Sequence, residues 1–373
     1  MIRPKTTLSL MLAYAASMGL SQAALIIGGT DPDNPDGPPS GGSSWYFSWH
    51  QWWDEESGSY VDWEDGRDMA VITQGETGIN MRGDIEVGAL YRIAHNGNQS
   101  GKFKILGENN SDIPTNLTIN NYIQGGFDDG TKREIDMGRN LHVHGDFEVR
   151  NTSYLNFNDG ATIHATITMA DSSTGIRVKE GADLSQATLR MNGHALDFIN
   201  TDASIKHLSG NGRFFTSFEG GTTQTLKLQN LTIGANADGS GGLGSWVQTG
   251  NGALNVEFGG GTVAMTVEMN TGLSDTFQIK GQLTLGGHLV INTLGTGVFQ
   301  AGDSYTLFTA DGGITGEFDS ITLPDLDDGL EWVWENTGNS WTITVQDKIP
   351  EPAAIMLLGL GGVATIMRRR RVR

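Results

Sequence analysis

The chain has 373 residues, among them 53 glycines, 24 lysines and arginines against 43 aspartates and glutamates, and no cysteine. Lack of cysteine excludes a disulfide framework, a thioether-linked lipid anchor and a thiol nucleophile. A formal charge of −19 argues against nucleic acid and anionic lipid as partners, because binding a polyanion needs clustered cations.

Met1 to Ala23 places Arg3 and Lys5 ahead of an apolar stretch, Leu8 to Leu20, and ends on the small-x-small triplet Ser21-Gln22-Ala23. That order predicts a secretory signal helix, removed by signal peptidase between Ala23 and Ala24 after entry into the general secretory pathway. Residues 24–347 then hold 16 cationic and 42 anionic side chains, a charge of −26. Carboxylates scattered over solvated faces are the ordinary meaning of such a composition; collection of calcium or another divalent cation is the alternative, and no other cofactor is expected.

Residues 24–68 differ in character from the rest of the body. Asp31 to Gly42 is a Pro/Gly/Asp linker, too rich in breakers for regular structure. Its acids imitate an EF-type calcium loop only in part, since Pro35 takes the fifth position and Gly37 the seventh. Trp45, Trp49, Trp52, Trp53 and Trp63 come next, beside Asp54, Glu55 and Glu56. Such rings can stack on sugars; they can equally cap the open end of a hydrophobic core, and the cap is the commoner use.

Residues 69–346 read as short strands. Thr162 to Met169 and Thr262 to Met269 show clear period-two alternation, and shorter apolar pairs recur at short, uneven intervals with Gly, Asn or Asp between them. No amphipathic helix stands out. Two all-β architectures satisfy this spacing, a parallel β-solenoid (β-helix) and an antiparallel β-sandwich; the solenoid is favoured because its coils need only short strands and frequent turns. No strict repeat supports it.

Leu141 to Val149 is the most metal-like stretch. As a strand it puts His142, His144, Asp146 and Glu148 on one face and Leu141, Val143, Phe147 and Val149 on the other. A row of ligands is thereby available, although alternating polar residues are also what any solvent face shows. Gly239-Ser-Gly-Gly-Leu-Gly244 fits G-x-G-x-x-G in form but has no following helix to receive a phosphate, so it reads as a turn. Arg150, Arg177, Lys179, Arg190 and Arg213 are the cations that a sugar-cleaving site assembled from several coils could draw on. Near the end of the body, Trp332, Trp334, Trp341, Ile343 and Val345 are expected to close the last sheet.

The segment 347–373 has three parts. Pro350 and Pro352 fix their own φ and push Ile349 and Glu351 out of helical geometry, making an extended hinge. Ala353 to Met367 is uncharged throughout, and as a helix it would be about 22 Å long against a hydrocarbon core of about 30 Å. This hydrophobic helix is short for a stable span, and snorkelling of Arg368 closes part of the gap. Arg368, Arg369, Arg370, Arg371 and Arg373 stay in the cytoplasm under the positive-inside rule.

Pro-Glu-Pro, an oily segment and an arginine cluster, in that order, resemble the PEP-CTERM sorting signal of Gram-negative, biofilm-forming bacteria. The resemblance implies that exosortase, an integral-membrane protease, recognises Pro350-Glu351-Pro352 and releases the protein to the surface or exopolysaccharide layer after transient residence in the inner membrane. More loosely, Asp275 to Asn292, Ala301 to Phe308 and Ile314 to Ile321 resemble the terminal coils of autotransporter-like β-helix passengers. The expectation is an exported, non-enzymatic, adhesin-like or polysaccharide-associated protein. A β-helix polysaccharide lyase or glycosidase is one alternative, and an uncleaved, membrane-anchored surface domain is another.

Overall fold

The structure, a computed structural model, describes residues 25–27, 43–46, 52–54, 59–61, 67–72, 79–92, 103–108, 114–125, 133–170, 173–217 and 223–348. Those residues form 28 strands in one sheet, and among them there is no helix, hence none long and apolar enough to cross a membrane. The signal helix expected over 1–23 and the hydrophobic helix expected within 347–373 lie outside the described residues.

Strands pair with strands of the next coil, in parallel, and this makes a solenoid where a sandwich would need antiparallel neighbours. In the C-terminal half they recur in threes. Leu254–Phe258, Leu283–Leu285 and Ile314–Gly316 stack on a first face. Thr262–Glu268, His288–Leu294 and Ser320–Thr322 stack on a second, and Ser245–Gly250, Thr276–Ile279 and Ser304–Ala310 on a third. Coil length varies, which hides the repeat from the sequence: Val143 lies between Leu117 of one coil and Ile163 of another, and the first step along the chain is longer than the second.

Alternation along each strand sends one set of side chains inward. Leu141, Val143, Phe147 and Val149 are buried as their spacing predicts, while His142, His144 and Glu148 are half-buried on the outside and Asp146 is exposed. Each buried Leu, Ile, Val or Phe contributes about 1.5–3 kcal/mol. Inside the third face one aromatic residue per coil continues the stack: Trp246 pairs with Phe277, Phe277 with Phe308, and Phe308 with Trp341 of the last strand. Ring centroids are 6.4 Å apart for Phe277 and Phe308 and 5.9 Å for Phe308 and Trp341.

Corners are made by residues that tolerate positive φ. Gly145 bends the strand Leu141–Arg150 at φ 107°, and its ladder with the preceding coil breaks after Ile119 and resumes at Tyr122. Gly210, at φ 88°, turns the 15-residue strand Ala203–Ser217 in the same way. Asn140, Asn151, Asn200 and Asn270 also hold positive φ, so the abundance of Gly and Asn is corner chemistry.

Acidic and amide side chains then tie coil to coil. Asp84 accepts from the backbone N–H of Asn116 at 2.9 Å, Asp202 from Thr225 at 2.7 Å, Asn230 from Thr262 at 2.9 Å and Asn255 from Gln282 at 2.8 Å. In each case the acceptor lies by a paired stretch and reaches the residue beside it in the next coil. One such residue is buried: Asp275 accepts from Gly244 N and Thr266 N, both at 2.6 Å.

Antiparallel pairing occurs at the two ends. Leu25–Ile27 meets Trp52–Asp54, which meets Ser59–Val61. At the other end Ser340–Asp347 runs antiparallel to Ser304–Ala310 and to Leu330–Asn336. A parallel edge is a template for another coil, and a reversed strand ends the series. The backbone of the lead-in expected over 24–68 thus contributes four short strands that pair within the sheet.

Gly145→Ala should destabilise the protein by about 2–4 kcal/mol in denaturant unfolding, because an added Cβ would lie 1.9 Å from the Ile119 carbonyl oxygen. Asp275 supplies a pH signature. Burial, opposed by the Gly244 and Thr266 amides, pushes its pKa up to about 6 from the ordinary 3.8. A raised carboxyl favours the folded state when protonated, so its contribution is full below about pH 4 and is lost as pH rises through about 6. Between pH 7.5 and pH 4 the wild type should gain about 2–3 kcal/mol relative to Asp275→Asn. Taking the difference between the two unfolding curves cancels every other titrating group.

Candidate functional site

Several expected residues fall outside the described set: Ala23, Ala24, Trp49, Trp63, Pro350, Glu351, Pro352 and the arginines 368–371 and 373. The backbones of Trp45, Trp52 and Trp53 pair with Met81, Ile27 and Ile26; their side chains also lie outside the described residues.

The expected ligand row is rearranged by the neighbouring coil. His144 stands directly beside His164, and the two rings stack 5.1 Å apart at 8°. His142 approaches both, 6.4 Å from His144 and 5.7 Å from His164. Nε2 of His144 is 3.0 Å from Oδ1 of Asn116. Beyond the Gly145 corner, Glu148 is engaged at 2.6 Å by Arg150, whose guanidinium lies 4.4 Å from the Tyr122 ring centre. Thus the corner divides His142 and His144 from Asp146 and Glu148, and His164 takes the acids' place. Among the described residues no three His, Asp or Glu side chains are arranged to hold a metal ion.

The third face carries a polar column drawn from successive coils. Asp136, Asn156, Arg177 and Asp197 are paired in sequence across the ladder. The Arg177 Nε donates to Asp197 at 2.9 Å, its second nitrogen lies 3.3 Å from Glu134, and the Tyr154 ring centre lies 3.9 Å from the guanidinium. Burial opposes the Arg177 charge, but Asp197, Glu134 and Tyr154 outweigh it and hold the guanidinium above its ordinary range. Nδ2 of Asn156 donates to Glu134 at 3.2 Å and to Asp136. Of the five cations that the sequence singles out, Arg177 is brought among carboxylates from other coils. Its partners were not legible, because they sit 20 to 43 residues away.

A cleft of about 450 Å³ opens where the stack ends, between the segment Gly316–Ile321, which joins two strands, and Trp334, Asn336 and Trp341. Trp341, Ile343 and Val345 close the last sheet as expected, and Trp332 is held half-buried by a 2.9 Å bond to the Pro324 carbonyl. Trp334 departs from the expectation: it is 52 % exposed. It shares a side of the hairpin with Trp332 but sits nearer the turn, beyond the Phe299 and Tyr305 rings on which Trp332 packs at 4.9 and 6.3 Å. Phe318 meets Trp341 edge-on at 5.8 Å and forms the floor. Asn336 is fixed by Ile314 O and Gly338 N, and Asp319 by Gly287 N. Ser320 continues outward to His288 at 2.6 Å, and the far nitrogen of His288 reaches Thr322 at 3.1 Å.

The stacked histidines give a testable pH dependence. Burial first, then the His164 and His142 charges, hold His144 below its ordinary value, against a small opposing pull from Asp84. A histidine lowered on folding leaves stability intact above about pH 6.5 and loses it as pH falls from there to the folded value. His164→Thr should raise the His144 midpoint in an NMR titration and reduce the loss of thermal stability between pH 7.5 and pH 5.

Among the described residues the last strand stops at Asp347, and Lys348 N bonds to Gly329 O at 2.8 Å. Residues 348–371 match the PEP-CTERM protein-sorting motif. A comparison with curated proteins finds no match to the chain. The motif begins at the residue after the last strand, and it marks the chain as an exosortase substrate sorted to the outside or surface of a Gram-negative cell.

Proposed function

We propose that the chain is a non-catalytic structural or adhesive protein of the cell surface or extracellular matrix, exported by its signal peptide and released at Pro350-Glu351-Pro352. Its solenoid is the working part and associates with extracellular polysaccharide. The observation that carries this reading is the abutment of sorting motif and body: removal of residues from 350 onward leaves every described strand and its ladder in place. A signal so placed delivers a finished rod. The outer faces supply long rows of hydroxyl, amide and imidazole groups, such as Thr166, Thr188, His207 and Asn230 on consecutive coils, which suit many weak contacts with a hydroxyl-rich chain.

A second reading is favoured by Glu134, Asp136, Asp197 and Arg177, since carboxylates and a cation from different coils are what a β-helix lyase or glycosidase assembles. Their mutual bonds weigh toward a structural role. In the third reading the tail remains uncut and the body is a membrane-held surface domain.

Intact-mass analysis of the protein from its host's envelope and medium should find an N-terminus at Ala24 and a C-terminus between Pro350 and Ala353. A chain still ending at Arg373 and confined to the membrane would overturn release. The recovered protein should bind polysaccharide on a glycan array and liberate no new reducing or unsaturated ends. Liberation of such ends, abolished by Asp197→Asn, would establish the enzyme instead.

A further inference from the structure

We infer that the terminal cleft binds a pyranose unit of a neutral polysaccharide, with the ring's apolar face on Trp334 and its hydroxyls on Glu317 and Ser320. The inference rests on the polysaccharide reading and assigns it a place. Three observations converge on this ligand.

The first is the exposed indole. Trp341 has 4 % of its surface exposed and Trp334 has 52 %, although both belong to one hairpin. A half-bare tryptophan beside a cleft is an unfilled stacking surface. A pyranose offers it a flat array of C–H groups, and hydroxyls around the rim remain free for polar partners.

The second is what surrounds the indole. Glu317 and Ser320 are exposed, and Asp319 and Asn336 are held in place by backbone bonds. These are acceptors and donors of the kind that hydroxyl groups satisfy. At about 450 Å³ the cleft has room for a sugar ring, within the range of about 300–1,000 Å³ common for small-molecule sites. Ser320 leads outward to His288 and Thr322, so units following the bound one would pass along the second face.

The third is charge. Glu317 and Asp319 line the cleft, Glu335 lies next to Trp334, and residues 24–347 carry −26. A uronate or sulfated chain would be repelled from such a site, and a neutral one would not.

The test is affinity electrophoresis of the protein recovered from its host, in gels containing hydroxyethyl cellulose, galactomannan or dextran as neutral probes and alginate as the anionic probe. At least one neutral polymer should retard the wild type, and alginate should not. Trp334→Ala should bind about tenfold more weakly and Trp334→Phe within about threefold of wild type, the difference expected for one stacked ring. Glu317→Gln should weaken binding about threefold without shifting the thermal midpoint, and this keeps the test open if Trp334→Ala fails to fold. Undiminished binding by both Trp334→Ala and Glu317→Gln, or loss on Trp52→Ala alone, would overturn the cleft and leave the polysaccharide reading standing. Stronger retardation by alginate than by any neutral polymer would overturn the neutral ligand. No retardation by any of the four would remove the polysaccharide reading, and the cleft with it.

Discussion

Parallel stacking in register governs this molecule, because it gives each residue two neighbours of equal standing, one in the coil before and one in the coil after. A side chain is tolerated only if it suits its column as well as its strand. Inside, the constraint yields continuous apolar columns such as Trp246, Phe277, Phe308 and Trp341. Outside, it sets imidazole on imidazole at His144 and His164, and in a largely buried polar column it alternates acid, amide and guanidinium through Asp136, Asn156, Arg177 and Asp197. Like charges in one column would repel along the whole rod; an amide or cation between carboxylates prevents this.

The same constraint explains the composition. A coil must turn sharply several times, and each turn exposes backbone groups that the ladder cannot satisfy. Glycine at 145 and 210 makes the bend, and short acceptors such as Asp84, Asp202, Asn230 and Asn255 reach the first free amide of the adjoining coil. Part of the acidity that the sequence displays, at Asp84, Asp202, Asp275 and Asp319, is therefore structural glue between coils. Long cationic side chains cannot do this work, since a backbone N–H needs an acceptor.

What the sequence discloses and what it conceals divide along the same line. Period-two alternation is a local property, so the inward and outward sets of Leu141 to Val149 and of Thr262 to Met269 could be read directly. The sorting signal is a linear motif and was equally legible. Column partners are different, since they depend on coil length, and the unequal steps from Leu117 to Val143 and from Val143 to Ile163 obey no rule visible in the residues. His164 therefore stood in an alternating run with nothing to connect it to His144. Gly145 looked like one more small residue between two candidate ligands; as a corner it separates them. Trp334 looked like its neighbour Trp332, and what distinguishes them is the packing of Trp332 on Phe299 and Tyr305 and its bond to the Pro324 carbonyl, none of which is local in sequence.

The reversed hairpin at the C-terminal end has a mechanical consequence. Were the tail held in a membrane, tension would enter the body at Lys348, the residue after its last described strand. Pull directed along the axis of the stack meets the hydrogen bonds of Ser340–Asp347 one after another, as in opening a zip, whereas pull along that strand loads them together. The coils beneath are joined through their own ladders, so a tethered body would yield first at the hairpin, baring Phe308 and the core that Trp341, Ile343 and Val345 cover.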